Sequence, residues 1–147
     1  VLEAIAYIKS LKIEHPKIQH IVTIVSEQFA QKKGSKIIVF THYRDTSLYV
    51  LKQLQNVPFV KPVRFIGQAG KENDKGLTQK EQIDIIRRFK QDEYNVLIAT
   101  SVAEEGLDIP STDLVVFYEP VPSEIRTIQR KGRTARQMAG KVIILIT

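Results

Sequence analysis

Lys36-Ile37-Ile38-Val39-Phe40-Thr41-His42-Tyr43-Arg44-Asp45 is the stretch whose reading decides the fold. Residues 36–41 form a short apolar run rich in β-branched side chains. A run without polar alternation has no solvated face, so it predicts a strand buried on both sides, as in a parallel sheet. The run ends abruptly in a hydroxyl, an imidazole, a phenol and two charges. Asp45 can cap a helix there. Leu48, Leu51 and Leu54 then recur at helical spacing.

The same alternation continues downstream. Residues 63–66 read as a strand, and residues 67–76 as a polar, glycine-bearing loop. Thr78-Gln79-Lys80-Glu81 has the pattern of a capping box and opens a helix bearing Ile83, Ile86 and Phe89. Further strands are expected at 95–99, 114–118 and 142–146, with a helix starting at Ser123. Upstream, Ile18, Ile21, Val22, Val25 and Phe29 mark an amphipathic helix ending near Gly34. Val1, Ala4, Ile5, Ile8 and Leu11 share that spacing, so residues 1–14 are expected to be helical up to the break at His15-Pro16. Strands alternating with helices predict a doubly wound α/β fold, a parallel sheet with right-handed crossovers. Residues 1–34 read as a helical extension or connector to a preceding domain, and residues 35–147 as the α/β domain. The chain begins at Val1 rather than Met, which points to a piece of a longer protein.

Composition narrows the function classes. A length of 147 residues, 43% hydrophobic and 26% charged, describes one globular domain with a real core. No apolar run reaches the roughly 18–20 residues that span a bilayer, and no signal-peptide pattern opens the chain. No membrane partner is expected, and the location is expected to be intracellular, cytoplasmic in a prokaryote. The net charge of +6 fits a polyanionic partner such as nucleic acid. Cysteine is absent, and His15, His20 and His42 are scattered, so no metal site is expected.

Open α/β sheets bind ligands beyond the carboxyl ends of their strands. There the chain places Thr41 and His42, then Thr100 and Ser101, then Gly106 and Asp108. Hydroxyls before a helix start can hold phosphate, or can simply cap the helix. Asp108 is either a turn residue or an acceptor for a ribose hydroxyl or an arginine. Gln129-Arg130-Lys131-Gly132-Arg133-Thr134-Ala135-Arg136 packs three arginines and a glutamine into eight residues. A guanidinium fork suits phosphate oxygens, while a solvated basic helix end is the plain alternative.

Three ordered segments carry a resemblance. Residues 37–41 resemble helicase motif IV, residues 99–110 motif V, and residues 129–136 the Gln-Arg-x-Gly-Arg-x-x-Arg pattern of motif VI in superfamily 2. Residues 40–46 and 65–69 are most similar to the archaeal Hef helicase–nuclease and Fanconi anaemia M protein family. The resemblance implies the second RecA-like domain of a DNA-remodelling ATPase, a P-loop NTPase helicase C-terminal domain acting on forked or branched DNA. It implies arginine fingers at Arg133 and Arg136, supported by Gln129 and Arg130. It places Gly106 and Asp108 near the nucleotide and Thr41, His42, Thr100 and Ser101 at the nucleic acid. Ala135 stands where the family often has glycine.

The chain has no Gly-x-x-x-x-Gly-Lys-Ser/Thr loop. ATP and Mg²⁺ are therefore expected to be held mainly by a first RecA-like domain elsewhere in the parent chain. That domain is the expected partner besides DNA, and the isolated chain is expected neither to hydrolyse ATP nor to unwind DNA. Alternatives are a duplex-RNA-directed relative of Dicer or RNA-sensor type, and a non-catalytic RecA-like binding module. A lone nucleotide-binding protein would need its own phosphate loop.

Overall fold

The computed structural model describes residues 3–8, 17–70, 74–100, 111–119 and 140–146. Among these the elements are β1 (Glu3–Ile8), α1 (Lys17–Gln31), β2 (Ile37–Thr41), α2 (Arg44–Leu54), β3 (Pro62–Phe65), α3 (Gln79–Lys90), β4 (Val96–Thr100), β5 (Leu114–Phe117) and β6 (Lys141–Ile146). The six strands form one sheet in the order β1-β6-β5-β2-β4-β3, and every neighbouring pair is parallel. Ile37 through Thr41, Val96 through Thr100 and Leu114 through Phe117 are buried at every position. A strand without alternation must be covered on both faces, and here it is.

The alternate residues of β2, β4 and β5 feed two cores. Ile37, Val39, Val96, Ile98, Leu114 and Val116 pack with Ile21 and Val25 of α1 and Val50 and Leu54 of α2. Ile38, Phe40, Leu97, Ala99, Val115 and Phe117 pack with Ile86 and Phe89 of α3 on the opposite face. Full burial of each Val, Leu, Ile or Phe among them contributes about 1.5–3 kcal/mol. The two faces follow from chain direction. α1 and α2 carry the chain one way across the sheet, and α3 carries it back from β3 to β4. Crossovers of one hand must change face when the direction reverses.

Local signals hold where their partners are local. Thr78 Oγ1 accepts the Glu81 N–H at 3.1 Å, while Glu81 Oε1 accepts the Thr78 N–H at 3.0 Å, completing the capping box of α3. Asp45 does not cap α2. It lies in the first turn, the cap position belongs to Tyr43, and no side chain of Tyr43 closes it.

Residues 1–14 are a correction. Glu3–Ile8 is a strand, paired in parallel with β6 from Glu3↔Lys141 to Ile8↔Ile146. A six-residue run containing Ile5, Tyr7 and Ile8 fits either period, and short apolar runs are ambiguous between helix and strand. The open edge of β6 decides the matter by satisfying backbone groups that a separate helix would leave unpaired. The expected helical character of the first 34 residues therefore survives only in α1, whose Ile21 and Val25 are fully buried in the common core.

Candidate functional site

Parallel strands put all their carboxyl ends on one edge, so side chains remote in sequence meet there. Thr41 and Thr100 are register partners on β2 and β4. β5 flanks β2 on its other side. The chain thus leaves three adjacent strands, β5, β2 and β4, at one edge. It passes from them into residues 118–140, 42–61 and 101–113 respectively. Residues 41 and 42 and residue 100, singled out from the sequence, lie at these strand ends.

Thr41 has no exposed surface and Thr100 is 4% exposed. Thr41 Oγ1 donates to the Tyr43 carbonyl at 3.4 Å. His42 and Tyr43 beyond it are exposed, and their rings meet edge to face at 4.4 Å between centroids. Tyr43 is 58% and Tyr49 47% exposed. Of the residues expected to touch nucleic acid, the structure therefore joins Thr41, His42 and Thr100, and only His42 of these presents an open surface. Ser101, Gly106, Asp108, Gln129, Arg130, Arg133 and Arg136 lie outside the described residues.

Glu119 organises the edge and was not singled out from the sequence. Its Oε1 accepts the His42 N–H at 2.8 Å and the Tyr43 N–H at 3.4 Å, at the amino end of α2. A carboxylate is favoured there by the free amides and the helix dipole. Its signal was positional: a charge directly after the apolar run of 114–118, at a strand's carboxyl end. Beside it, Tyr118 is buried, and burial pushes its phenol up to about 12, with Tyr49 and Glu119 adding to the shift. The Lys17 ammonium lies 5.5 Å from the centre of the Tyr118 ring. Burial lowers the Lys17 pKa, and Glu119 acts against that shift.

A second cluster fixes the loop after β3. The Arg44 guanidinium donates to the carbonyls of Gly67 at 3.2 Å and Asp74 at 3.4 Å. Arg64 forms an ion pair with the Asp74 carboxylate, whose other oxygen accepts the Gly76 N–H at 3.3 Å. Burial opposes ionisation of Asp74, but Arg64, the Gly76 N–H and Arg44 outweigh it and hold the carboxyl below its usual range. Gln82, 5% exposed, donates to the Ile66 carbonyl at 2.8 Å and ties α3 to the same loop. The edge thus presents a rigid, hydrogen-bonded rim around buried hydroxyls, with aromatic rings at its outer surface. No group of three or more His, Asp or Glu side chains converges to hold a metal among the described residues. No helix among them is long and apolar enough to cross a membrane.

Comparison with known proteins gives concordant results. The family model described as helicase conserved C-terminal domain matches residues 16–138. A Methanocaldococcus jannaschii protein, provisionally named an ATP-dependent RNA helicase, is 50% identical over 147 residues, covering 99% of this chain and 18% of that protein. The ATP-dependent DNA helicase mph1 of Neurospora crassa is 42% identical over 135 residues, covering 90% of this chain and 12% of that protein. The chain therefore spans less than a fifth of the length of these relatives. The crystal structure of the Pyrococcus furiosus Hef helicase domain superposes with a TM-score of 0.77 at 53% identity, covering 90% of this chain and 26% of that one. The yeast DEAD-box splicing factor Prp28 superposes with a TM-score of 0.75 at 23% identity, covering 99% of this chain and 29% of that one, a likeness of fold alone.

Proposed function

The chain belongs to the helicase conserved C-terminal domain family, with a RecA-like fold, and from that premise we propose that it is the second motor domain of an ATP-dependent helicase or translocase acting on forked or branched DNA. One observation carries the reading. The family match over residues 16–138 contains the three motif segments in order, and the strands that precede them stand side by side at one edge. A site built from adjacent strand ends can couple nucleotide to nucleic acid through small movements.

In this reading ATP and Mg²⁺ are held mainly by the first RecA-like domain of the parent chain, and hydrolysis supplies the free energy of movement. The described edge fits that division. The amides of His42 and Tyr43 at the start of α2, donors suited to a phosphate, are already taken by Glu119. Arg133 and Arg136 act as arginine fingers on the transferring phosphoryl group, with Gln129 and Arg130 holding them. An arginine in that role contributes roughly 10³–10⁵ in rate, or about 4–7 kcal/mol. Gly106 and Asp108 face the nucleotide. Thr41, His42, Thr100 and Ser101 meet the nucleic-acid backbone, reading charge and shape rather than sequence. With Thr41 and Thr100 buried, first contact in this reading falls to His42 and to backbone groups at the crevice.

The DNA assignment draws on the mph1 relative and on an ATP-dependent DNA helicase of Schizosaccharomyces pombe, fml2, 39% identical over 145 residues. The name of the Methanocaldococcus jannaschii protein favours a second reading, a duplex-RNA substrate. Measuring ATP hydrolysis by the full-length parent with forked DNA and with duplex RNA separates the two. On the same samples, Arg133→Ala and Arg136→Ala should each lower the rate about a hundredfold or more with nucleic-acid affinity nearly intact. An unchanged rate would return residues 129–136 to a contacting or solvated basic segment.

A further inference from the structure

The amino edge of the sheet, opposite the proposed site, carries a feature that helicase chemistry does not use. Residues preceding β2, β3 and β4 surround an open groove of about 960 Å³. Its walls are Phe29 and Ala30 of α1 with Val57, Pro58 and Val60 from the segment between α2 and β3. Phe59 stands in that segment, 86% exposed and at φ +68°. A bulky aromatic residue in the left-handed region costs conformational free energy, and exposing its ring forfeits burial as well.

The surroundings hold Phe59 in this position. Asn95 Nδ2 donates to the Phe59 carbonyl at 2.8 Å, while Asn95 Oδ1 accepts the Lys61 N–H at 2.7 Å. The Val60 N–H closes the turn on the Val57 carbonyl at 3.3 Å. A side-chain amide therefore clamps the backbone on both sides of Val60, directly after the exposed ring. Strain that the surroundings over-determine in this way is characteristic of ligand clamps.

The charges around the groove are unbalanced. Lys33 and Lys61 line it, and neither has a carboxylate within ion-pair distance among the described residues. Asp92 is the one carboxylate in the lining, and it is paired with the Lys36 ammonium at 3.5 Å. The Asp92 carbonyl holds the Lys61 ammonium at 2.5 Å, which fixes that cation at the rim. Phosphates laid on Phe29, Val57 and Pro58 would lose hydration, with partners only at the two rim cations, so the apolar walls suit a hydrophobic anchor better than a continuous nucleic-acid backbone.

We propose that this groove docks a linear segment of a partner protein, an aromatic side chain flanked by acidic residues, with Phe59 as the anchor. The aromatic group fills the apolar channel beside Phe59, and the flanking carboxylates meet Lys33 and Lys61. Aromatic anchors with charged rims are the usual anatomy of such contacts. The groove lies at the opposite edge from Thr41 and Thr100, so the partner binds without covering them.

The test uses full-length parent protein and a fluorescein-labelled peptide of roughly twelve residues, with two Phe set among Asp and Glu. Anisotropy should show saturable binding that weakens about tenfold or more when the acids become Lys or the Phe residues become Ser. Phe59→Gly should weaken binding by about the same factor without lowering the thermal midpoint, because glycine accepts positive φ. Lys33→Glu with Lys61→Glu should also weaken binding, leaving ATP hydrolysis unchanged. Benzoylphenylalanine in place of a peptide Phe should cross-link to residues 26–34 or 57–61. Absence of binding, indifference to Phe59→Gly, or cross-links elsewhere would overturn the proposal. So would displacement by duplex DNA, or sedimentation showing that a second copy or the parent's own chain covers the groove.

Discussion

Gly76 offers a test of how tightly the loop after β3 is built, because the geometry separates two costs that usually arrive together. Gly76 has φ +72°, and a Cβ added there would stand 2.7 Å from the Gln68 carbonyl oxygen and 2.8 Å from those of Ala69 and Gly67. Gly34 has φ +80°, but a Cβ there would meet nothing within 4 Å. Gly34→Ala therefore pays only for the left-handed conformation, about 1–2 kcal/mol. Gly76→Ala pays that and must also displace backbone oxygens. One of them, on Gly67, accepts both the Leu77 N–H at 3.0 Å and the Arg44 guanidinium at 3.2 Å. Weakening those two bonds adds about 1–3 kcal/mol, for a total of about 2–5 kcal/mol. Urea unfolding followed by circular dichroism would measure both variants against the parent chain, and the difference between them isolates the steric part. If the loop peels away locally instead, the global loss is capped and protease cleavage within residues 67–77 rises. Equal losses for the two variants, with no new cleavage, would refute the packing argument.

Thr78→Ala removes the hydroxyl that caps α3 and should cost about 1 kcal/mol, read from the urea midpoint. Asp113 accepts the Lys36 N–H at 2.8 Å and pairs with Lys32 at 2.5 Å. Burial opposes its ionisation, but Lys32 and Lys36 prevail and hold its pKa down. A lowered folded pKa means its stabilisation is present above the unfolded value, about 3.9, and is lost as pH falls through the folded one. Asp113→Ala should cost about 1–2 kcal/mol near neutrality and flatten the acid limb of a stability–pH profile. Glu119→Ala leaves the His42 and Tyr43 amides without their acceptor and should cost about 0.5–2 kcal/mol. Amide hydrogen exchange at His42 and Tyr43 should accelerate in the variant, and an unchanged rate would show that solvent already serves those groups.

How much was legible in the sequence depended on whether the deciding partner was near in the chain. Residues 37–41, 96–100 and 114–117 announced themselves because full burial leaves no alternation to misread. The Thr78 capping box closes within four residues, so its pattern is self-sufficient. The strand at Glu3–Ile8 depends on β6, more than a hundred residues later, and the helical spacing of Val1, Ala4, Ile5 and Ile8 misled for that reason. Periodicity also marks a stripe without saying where it stops facing the core. Ile83 shares α3 with Ile86 and Phe89, yet it is 53% exposed while they are buried. Gln82 and Ser47, which no sequence pattern singles out, are buried with the Ile66 and Arg44 carbonyls as their partners.

The candidate site divides along the same line. Thr41 and Thr100 were recognisable as strand-end hydroxyls, and their register pairing follows from a parallel sheet. Their burial was not recognisable, because it arises from the crowding of three neighbouring strand ends. Glu119 lies 77 residues from His42, so no local pattern couples them. Phe59 was invisible for a different reason. Its positive φ and its bond from Asn95, 36 residues away, leave no mark in the local sequence. The polarity of a parallel sheet then gives these outcomes a common logic. Every strand's carboxyl end lies on one edge, which gathers the hydroxyls of Thr41 and Thr100 and the capping carboxylate of Glu119. Every amino end lies on the other, where the loops are free of that chemistry and can carry a strained aromatic and two unbalanced cations. A partner bound there would lie at the opposite ends of the same strands that carry Thr41 and Thr100. β2 and β4 begin at the groove and end at the crevice, paired in parallel from Ile37↔Val96 to Thr41↔Thr100, and so connect the two.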